Sequence, residues 1–183
     1  MKLWVKWLIA GILSILFGVF VLANPVAASF AVTVVAGVTF LLVGAVQIYA
    51  GFGESGTGKL LGVGLGILMV LLGLSLMFEP LQGIISLATL ATILIGANGI
   101  LRLVTAFNMR ETRIFWPMLL SGALSVLLAG YIIANFFEIA PSLLGILLGI
   151  ELLFNGSGLI AFALFLRTAR GAVKEAIEKR LKT

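Results

Sequence analysis

Two short motifs and five isolated polar side chains have residue types and spacings that could do chemistry. Gly53-Glu54-Ser55-Gly56-Thr57-Gly58-Lys59 fits the first seven positions of a phosphate-binding loop. The eighth position should supply a hydroxyl for magnesium, and here it is Leu60. Such a loop also needs a preceding strand and an aspartate for the metal. The chain has no aspartate, and long apolar runs flank the motif, so it reads as a Gly/Ser turn between helices. Asn155-Gly156-Ser157 has glycosylation spacing but lies inside an apolar run where a modifying enzyme cannot reach it. The five side chains are Gln47, Asn98, Arg102, Glu151 and Asn155, each interrupting a long hydrophobic stretch. A polar group is costly in hydrocarbon, and an ionisable one there is a functional candidate. Glu151 is accordingly the candidate for proton-linked work. The alternative is helix glue, with each interhelical hydrogen bond worth about 0.6–2 kcal/mol. Arg102 has an alternative of its own, to snorkel its guanidinium toward the nearer aqueous face.

Catalysis has little to draw on. There is no cysteine and no histidine, which with the missing aspartate removes most nucleophile–base pairs and metal-ligand sets. A Ser–Lys site would need a lysine at membrane depth, and none is present. The expectation is no catalytic residue, no metal, no cofactor and no nucleic-acid partner: a non-enzymatic protein.

The elements that position these groups follow from composition. Hydrophobic residues make up 62% of the chain and charged residues 10%, the reverse of a soluble domain's balance. A helix crosses a bilayer core of about 30 Å with roughly 20 apolar residues. Six runs qualify: Leu3–Ala23, Val26–Phe52, Leu60–Phe78, Leu81–Phe107, Ile114–Phe137 and Ser142–Leu166. None alternates as barrel strands do, so the fold class is an all-α integral membrane protein. Lys2 and Lys6 before an apolar run ending in Asn24-Pro25 resemble a signal peptide, but the same unit recurs internally, which makes it the first membrane helix.

The recurrence is regular. Gly11, Gly18, Pro25 and Gly44 return 55 residues later as Gly66, Gly73, Pro80 and Gly99. A third copy reads Gly122, Ala129, Pro141 and Gly156, with about one helical turn inserted before the proline and removed after it. Three helical hairpins, at about 4–53, 59–109 and 114–167, therefore form a membrane domain of residues 1–167. Gly11, Gly18, Gly37, Gly44, Gly66, Gly73, Gly99, Gly149 and Gly156 are the expected helix-packing positions, since small residues let backbones approach in lipid. All five polar residues fall on the second helix of a repeat. Asn98 matches Asn155, and Gln47 matches Arg102. A pseudo-threefold axis through the hairpins would gather them at the centre, with helices two, four and six inside. Arg102 and Glu151 would then lie two turns apart, about 11 Å, too far for a direct ion pair.

Lys2, Lys6, Lys59, Arg110, Arg113 and the Arg167–Lys182 stretch all fall at one end of the spans. The turns at the other end carry Glu79 and Glu138 and no lysine or arginine. The positive-inside rule puts both termini in the cytoplasm of a bacterial inner membrane. Residues 168–183 read as a cytoplasmic amphipathic helix, with Ala169, Val173, Ile177 and Leu181 on one face. Membrane lipids are the expected partners, with a homo-oligomer or a membrane-protein partner as further options.

The segments Gly11-Ile12-Leu13, Asn24-Pro25, Phe115-Trp116-Pro117 and Leu148-Gly149-Ile150-Glu151-Leu152-Leu153-Phe154, in this order, resemble the HdeD family of acid-resistance membrane proteins. The likeness runs from about Trp7 to Leu166 and implies a six-helix inner-membrane protein linked to survival in acid. It carries no catalytic mechanism. The leading expectation is a stress or acid-resistance protein that acts as a scaffold or alters membrane proton behaviour. The alternatives are a proton or small-solute transporter or channel, and a membrane subunit of a larger complex.

Overall fold

The computed structural model describes the backbone of residues 3–181 and the side chains of residues 4–168. Among the described residues there are six helices: α1 (Leu3–Ala23), α2 (Pro25–Phe52), α3 (Thr57–Phe78), α4 (Pro80–Asn108), α5 (Phe115–Ala134) and α6 (Phe136–Leu181). One residue separates the helices of each hairpin: Asn24, Glu79 and Asn135. Pro25 and Pro80 each open a helix, where the missing N–H costs nothing, and each turns the preceding residue away from helical geometry.

The third hairpin corrects the sequence reading. Asn135-Phe136 is the counterpart of Asn24-Pro25 and Glu79-Pro80, and Pro141 lies inside α6. No helical turn is inserted before it. Asn135 makes the break without a proline: its Nδ2 donates to the Tyr131 carbonyl at 3.0 Å. Its own carbonyl accepts the N–H groups of Glu138 and Ile139, which starts the next helix. Pro141 costs α6 the one hydrogen bond that its N–H would have given the Phe137 carbonyl. Likewise, the C-terminal segment is no separate helix, because α6 runs unbroken to Leu181. The amphipathic face assigned to residues 168–183 rests on side chains outside those described.

Burial repeats to the residue. On α2 the buried positions include Ala28, Thr33, Gly37, Gly44 and Gly51, and on α4 they include Gly83, Ala88, Thr92, Gly99 and Ala106. On α6 the matching positions Ala140, Gly145, Gly149, Gly156 and Ala163 are buried, with Leu143 and Leu144 in addition. The odd helices bury a shorter set: Gly11, Gly18 and Val21, then Gly66, Gly73 and Leu76, then Gly122, Ala129 and Ile132. Three copies of one packing code are therefore written along the chain.

The chain divides into two compact units, Met1–Pro25 with Gly145–Thr183, and Val26–Leu144. Within the first, α1 and α6 run antiparallel along a glycine seam. A Cβ on Gly11 would lie 2.8 Å from the Gly156 carbonyl oxygen, and one on Gly156 would lie 2.8 Å from that of Gly11. Gly18 and Gly149 oppose each other the same way, and Ser14 Oγ donates to the Leu152 carbonyl across the seam at 2.8 Å. Within the second unit, α2 meets α3 through Gly37–Gly73, Gly44–Gly66 and Gly51–Gly62, and α4 meets α5 through Gly99–Gly122. Every seam thus joins an even helix to an odd helix of a different hairpin.

Replacing Ser14 with alanine removes the one side-chain hydrogen bond across the α1–α6 seam among the described residues. The expected cost is about 0.6–1.7 kcal/mol, the range for such bonds between membrane helices. Thermal unfolding in detergent micelles would register it as a small drop in midpoint, with no change in helix content.

The remaining surface is oily. All six helices are long and apolar enough to cross a membrane, and only 17–28% of each span's most apolar window is buried within the protein. Phe17, Leu42, Leu71, Ile93, Leu124 and Phe154 are each more than half exposed. A water-soluble protein would not leave such continuous apolar faces uncovered.

Candidate functional site

The five polar side chains sit on one flank of their helices, measured from the glycine seam. A helix turns about 100° per residue, so a side chain three positions past a seam glycine lies about 60° to one side. Gln47 follows Gly44 and Arg102 follows Gly99 at this interval, which puts both at the edge of a seam. Asn98 and Asn155 each precede a seam glycine and lie further round the same flank. Glu151 is further still, almost opposite the seam. Gln47 is half-buried, and the other four are exposed.

Within each compact unit, no hydrogen bond or ion pair joins any two of these side chains among the described residues. Gln47, Asn98 and Arg102 belong to one compact unit, Glu151 and Asn155 to the other. Asn98 spends its amide on its own helix, donating to the Leu94 carbonyl at 2.9 Å. That bond lies within a single helix and ties α4 to no neighbour. Thr39, Thr89, Thr105 and Ser157 likewise turn their hydroxyls back onto a carbonyl four residues earlier. This lets a polar side chain sit on an apolar helix without a partner on another helix.

Arg102 has the most defined surroundings. An open groove of about 410 Å³ between α4 and α5 is lined by Arg102, Ile114, Pro117, Met118 and Ser121. The α5 members recur at helical spacing, so they form one stripe facing the guanidinium. Ser121 Oγ is already committed to the Met118 carbonyl at 3.1 Å. Arg102 pairs with no carboxylate among the described residues.

Three cation–aromatic pairs mark one end of the helices, and sequence reading did not anticipate them. Lys59 lies over Phe52 at 5.5 Å, Arg110 over Phe107 at 5.1 Å, and Arg167 over Trp4 at 5.3 Å. Phe52 and Phe107 are repeat counterparts. An aromatic ring with a nearby base is what a helix end presents at a lipid–water boundary. Of the Gly53–Lys59 segment, residues 53–56 link α2 to α3, with Gly56 at φ 63°, and residues 57–59 open α3, with Lys59 held against Phe52. Its flanks are helices, and no strand occurs among the described residues.

All nine predicted packing glycines lie where an added Cβ would fall within 3.0 Å of a neighbouring atom. Gly51, Gly83, Gly122 and Gly145 share that property: Gly51 continues the seven-residue stripe of Gly37 and Gly44, and Gly145 meets the Pro25 carbonyl.

The profile of one protein family, a short repeat of unknown function (DUF308), matches residues 9–78 and again residues 64–134. The two matches together span well over half of the 183 residues. The chain belongs to this family. DUF308 is the repeat family of HdeD-like membrane proteins. No curated protein and no solved structure gives a match. The two DUF308 matches begin 55 residues apart and end with α3 and α5. Each therefore encloses a complete even–odd seam, α2–α3 in one and α4–α5 in the other. The third such seam, α6–α1, joins the two ends of the chain.

Proposed function

We propose that this DUF308 protein is a non-enzymatic, multi-pass protein of the bacterial inner membrane with both termini cytoplasmic, and that it serves stress or acid resistance in the manner of HdeD-like proteins. Three like seams, one in the first compact unit and two in the second, support a fold of three repeated hairpins. The three cation–aromatic pairs, all at the base-rich end, support the orientation. The observation that carries the reading is Glu151, an exposed carboxyl side chain near the middle of the 33-residue Phe136–Thr168 span. No hydrogen bond or ion pair holds it among the described residues. A carboxyl group at that depth is costly where leucine would fit the span more cheaply, which makes it a candidate for function.

The test is Glu151→Gln, which keeps size and hydrogen-bonding capacity but cannot exchange a proton. Cells depending on the variant should survive an acid challenge severalfold less well, with membrane levels and thermal midpoint unchanged. Undiminished survival would remove the proton-linked role and leave a scaffold. Proton flux into reconstituted vesicles above the rate of empty ones would instead favour a conducting pathway.

A further inference from the structure

We infer that the groove between α4 and α5 is a binding site for one anionic glycerophospholipid, its phosphate held by Arg102 and its upper acyl chain laid along Ile114, Pro117 and Met118. The inference rests on the chain being a membrane protein, as proposed above.

Depth is the first argument. Helix α4 has 29 residues, a length of about 43 Å at 1.5 Å per residue, against a hydrocarbon core of about 30 Å. Centred, it overhangs the core by about 6–7 Å at each end. Arg102 lies six residues before the end of α4 at Asn108, or about 9 Å, so its guanidinium reaches the level where phosphates begin. Ser121 lies six residues past the start of α5 at Phe115, so the groove's two walls descend from the boundary to similar depths.

Charge is the second. Arg102 is exposed and pairs with no carboxylate among the described residues, and the groove around it is apolar apart from a serine hydroxyl already bonded to Met118. An arginine in such surroundings needs an anion, and a phosphodiester matches its planar donor fork. A free phosphate would leave the apolar floor bare, whereas a lipid covers floor and cation together.

Singularity is the third. The counterpart of Arg102 is Gln47 beside the α2–α3 seam and Leu159 beside the α6–α1 seam. One seam of three therefore carries the cation, and one bound lipid per chain follows.

The experiment uses the full chain reconstituted into vesicles of equimolar phosphatidylcholine and phosphatidylglycerol, then extracted gently and weighed intact by native mass spectrometry. One phosphatidylglycerol should stay bound per chain. Arg102→Gln, which installs the side chain found at the Gln47 position, should lower its retention about tenfold, the worth of a charge-assisted hydrogen bond. Arg110→Gln, at the neighbouring helix end, should leave retention unchanged. Equal loss in both variants would reduce the effect to surface charge and overturn the site. So would equal retention of phosphatidylcholine, or displacement of the lipid by millimolar inorganic phosphate. A chain that enters vesicles but retains no lipid refutes this site alone. A chain that fails to enter refutes the membrane reading with it.

Discussion

Replacing Gly44 with alanine should destabilise the protein by about 1–3 kcal/mol, the usual cost of forcing a methyl group into a filled contact. The added Cβ would sit 2.8 Å from the Gly66 carbonyl oxygen and 2.9 Å from the Val70 backbone nitrogen. Both obstacles are backbone, so no rotamer change relieves them and the helices must part. Parting α2 from α3 forfeits dispersion along the whole seam, because close approach is what attracts helices in lipid. Gly156→Ala should behave alike on the α6–α1 seam, where Gly11 and Ile15 stand equally near. Gly64→Ala is the control: nothing lies within 4 Å of its Cβ position, and alanine is the better helix former. Unfolding in mixed micelles should therefore show two lowered midpoints and one equal or raised. Equal midpoints for all three would mean that the seams do not hold the fold.

The second large effect is expected at a residue that touches little. Leu124 is the tenth residue of the 20-residue α5 and is 71% exposed. In a soluble protein Leu124→Arg would be nearly silent, since surface substitutions change stability by about 0.5 kcal/mol or less. At the centre of a membrane span the same change costs about 2.5–3.5 kcal/mol on insertion scales. The span starts from a mean hydropathy of 1.9, at the low end of the six, so it has little reserve. Insertion of α5 should fail in a large fraction of chains, and the yield of intact protein in membranes should fall accordingly. Placing arginine at Met109, by contrast, just past the end of α4, should be tolerated, because the guanidinium meets water. Normal membrane yield of the Leu124 variant would contradict the membrane reading.

Much of this architecture could be read along the chain. The 55-residue spacing from Gly11 to Gly66 and from Gly44 to Gly99 survives as identical burial on α1 and α3 and on α2 and α4. The third hairpin was misread because Pro141 resembles Pro25 and Pro80 in its apolar setting. A proline signals a helix start by what it cannot do, and near the start of an existing helix that deficiency costs one hydrogen bond at most. Asn135 makes the real break through its amide and carbonyl, and nothing in Ala134-Asn135-Phe136-Phe137 announces it. The candidate site was legible as residue types and as a shared helix flank. Its surroundings were not: the Arg102 groove exists only because α5 is the helix across the Gly99 seam.

Local chemistry was enough to determine the helical state, the six spans, the bias of positive charge to one end and the small-residue stripes. Each follows from hydropathy, helical periodicity or the missing side chain of glycine, and all of these act within one helix. Which stripe meets which had to wait for the tertiary structure. The stripes are near copies of one another, so Gly99 could pack by its own merits on Gly66, Gly73 or Gly122. Helix choice is settled by the whole antiparallel run, from Ser14 against Leu152 to Trp7 against Phe162 on the α1–α6 seam. Those pairs are more than a hundred residues apart, and only summed contact along two complete helices selects them.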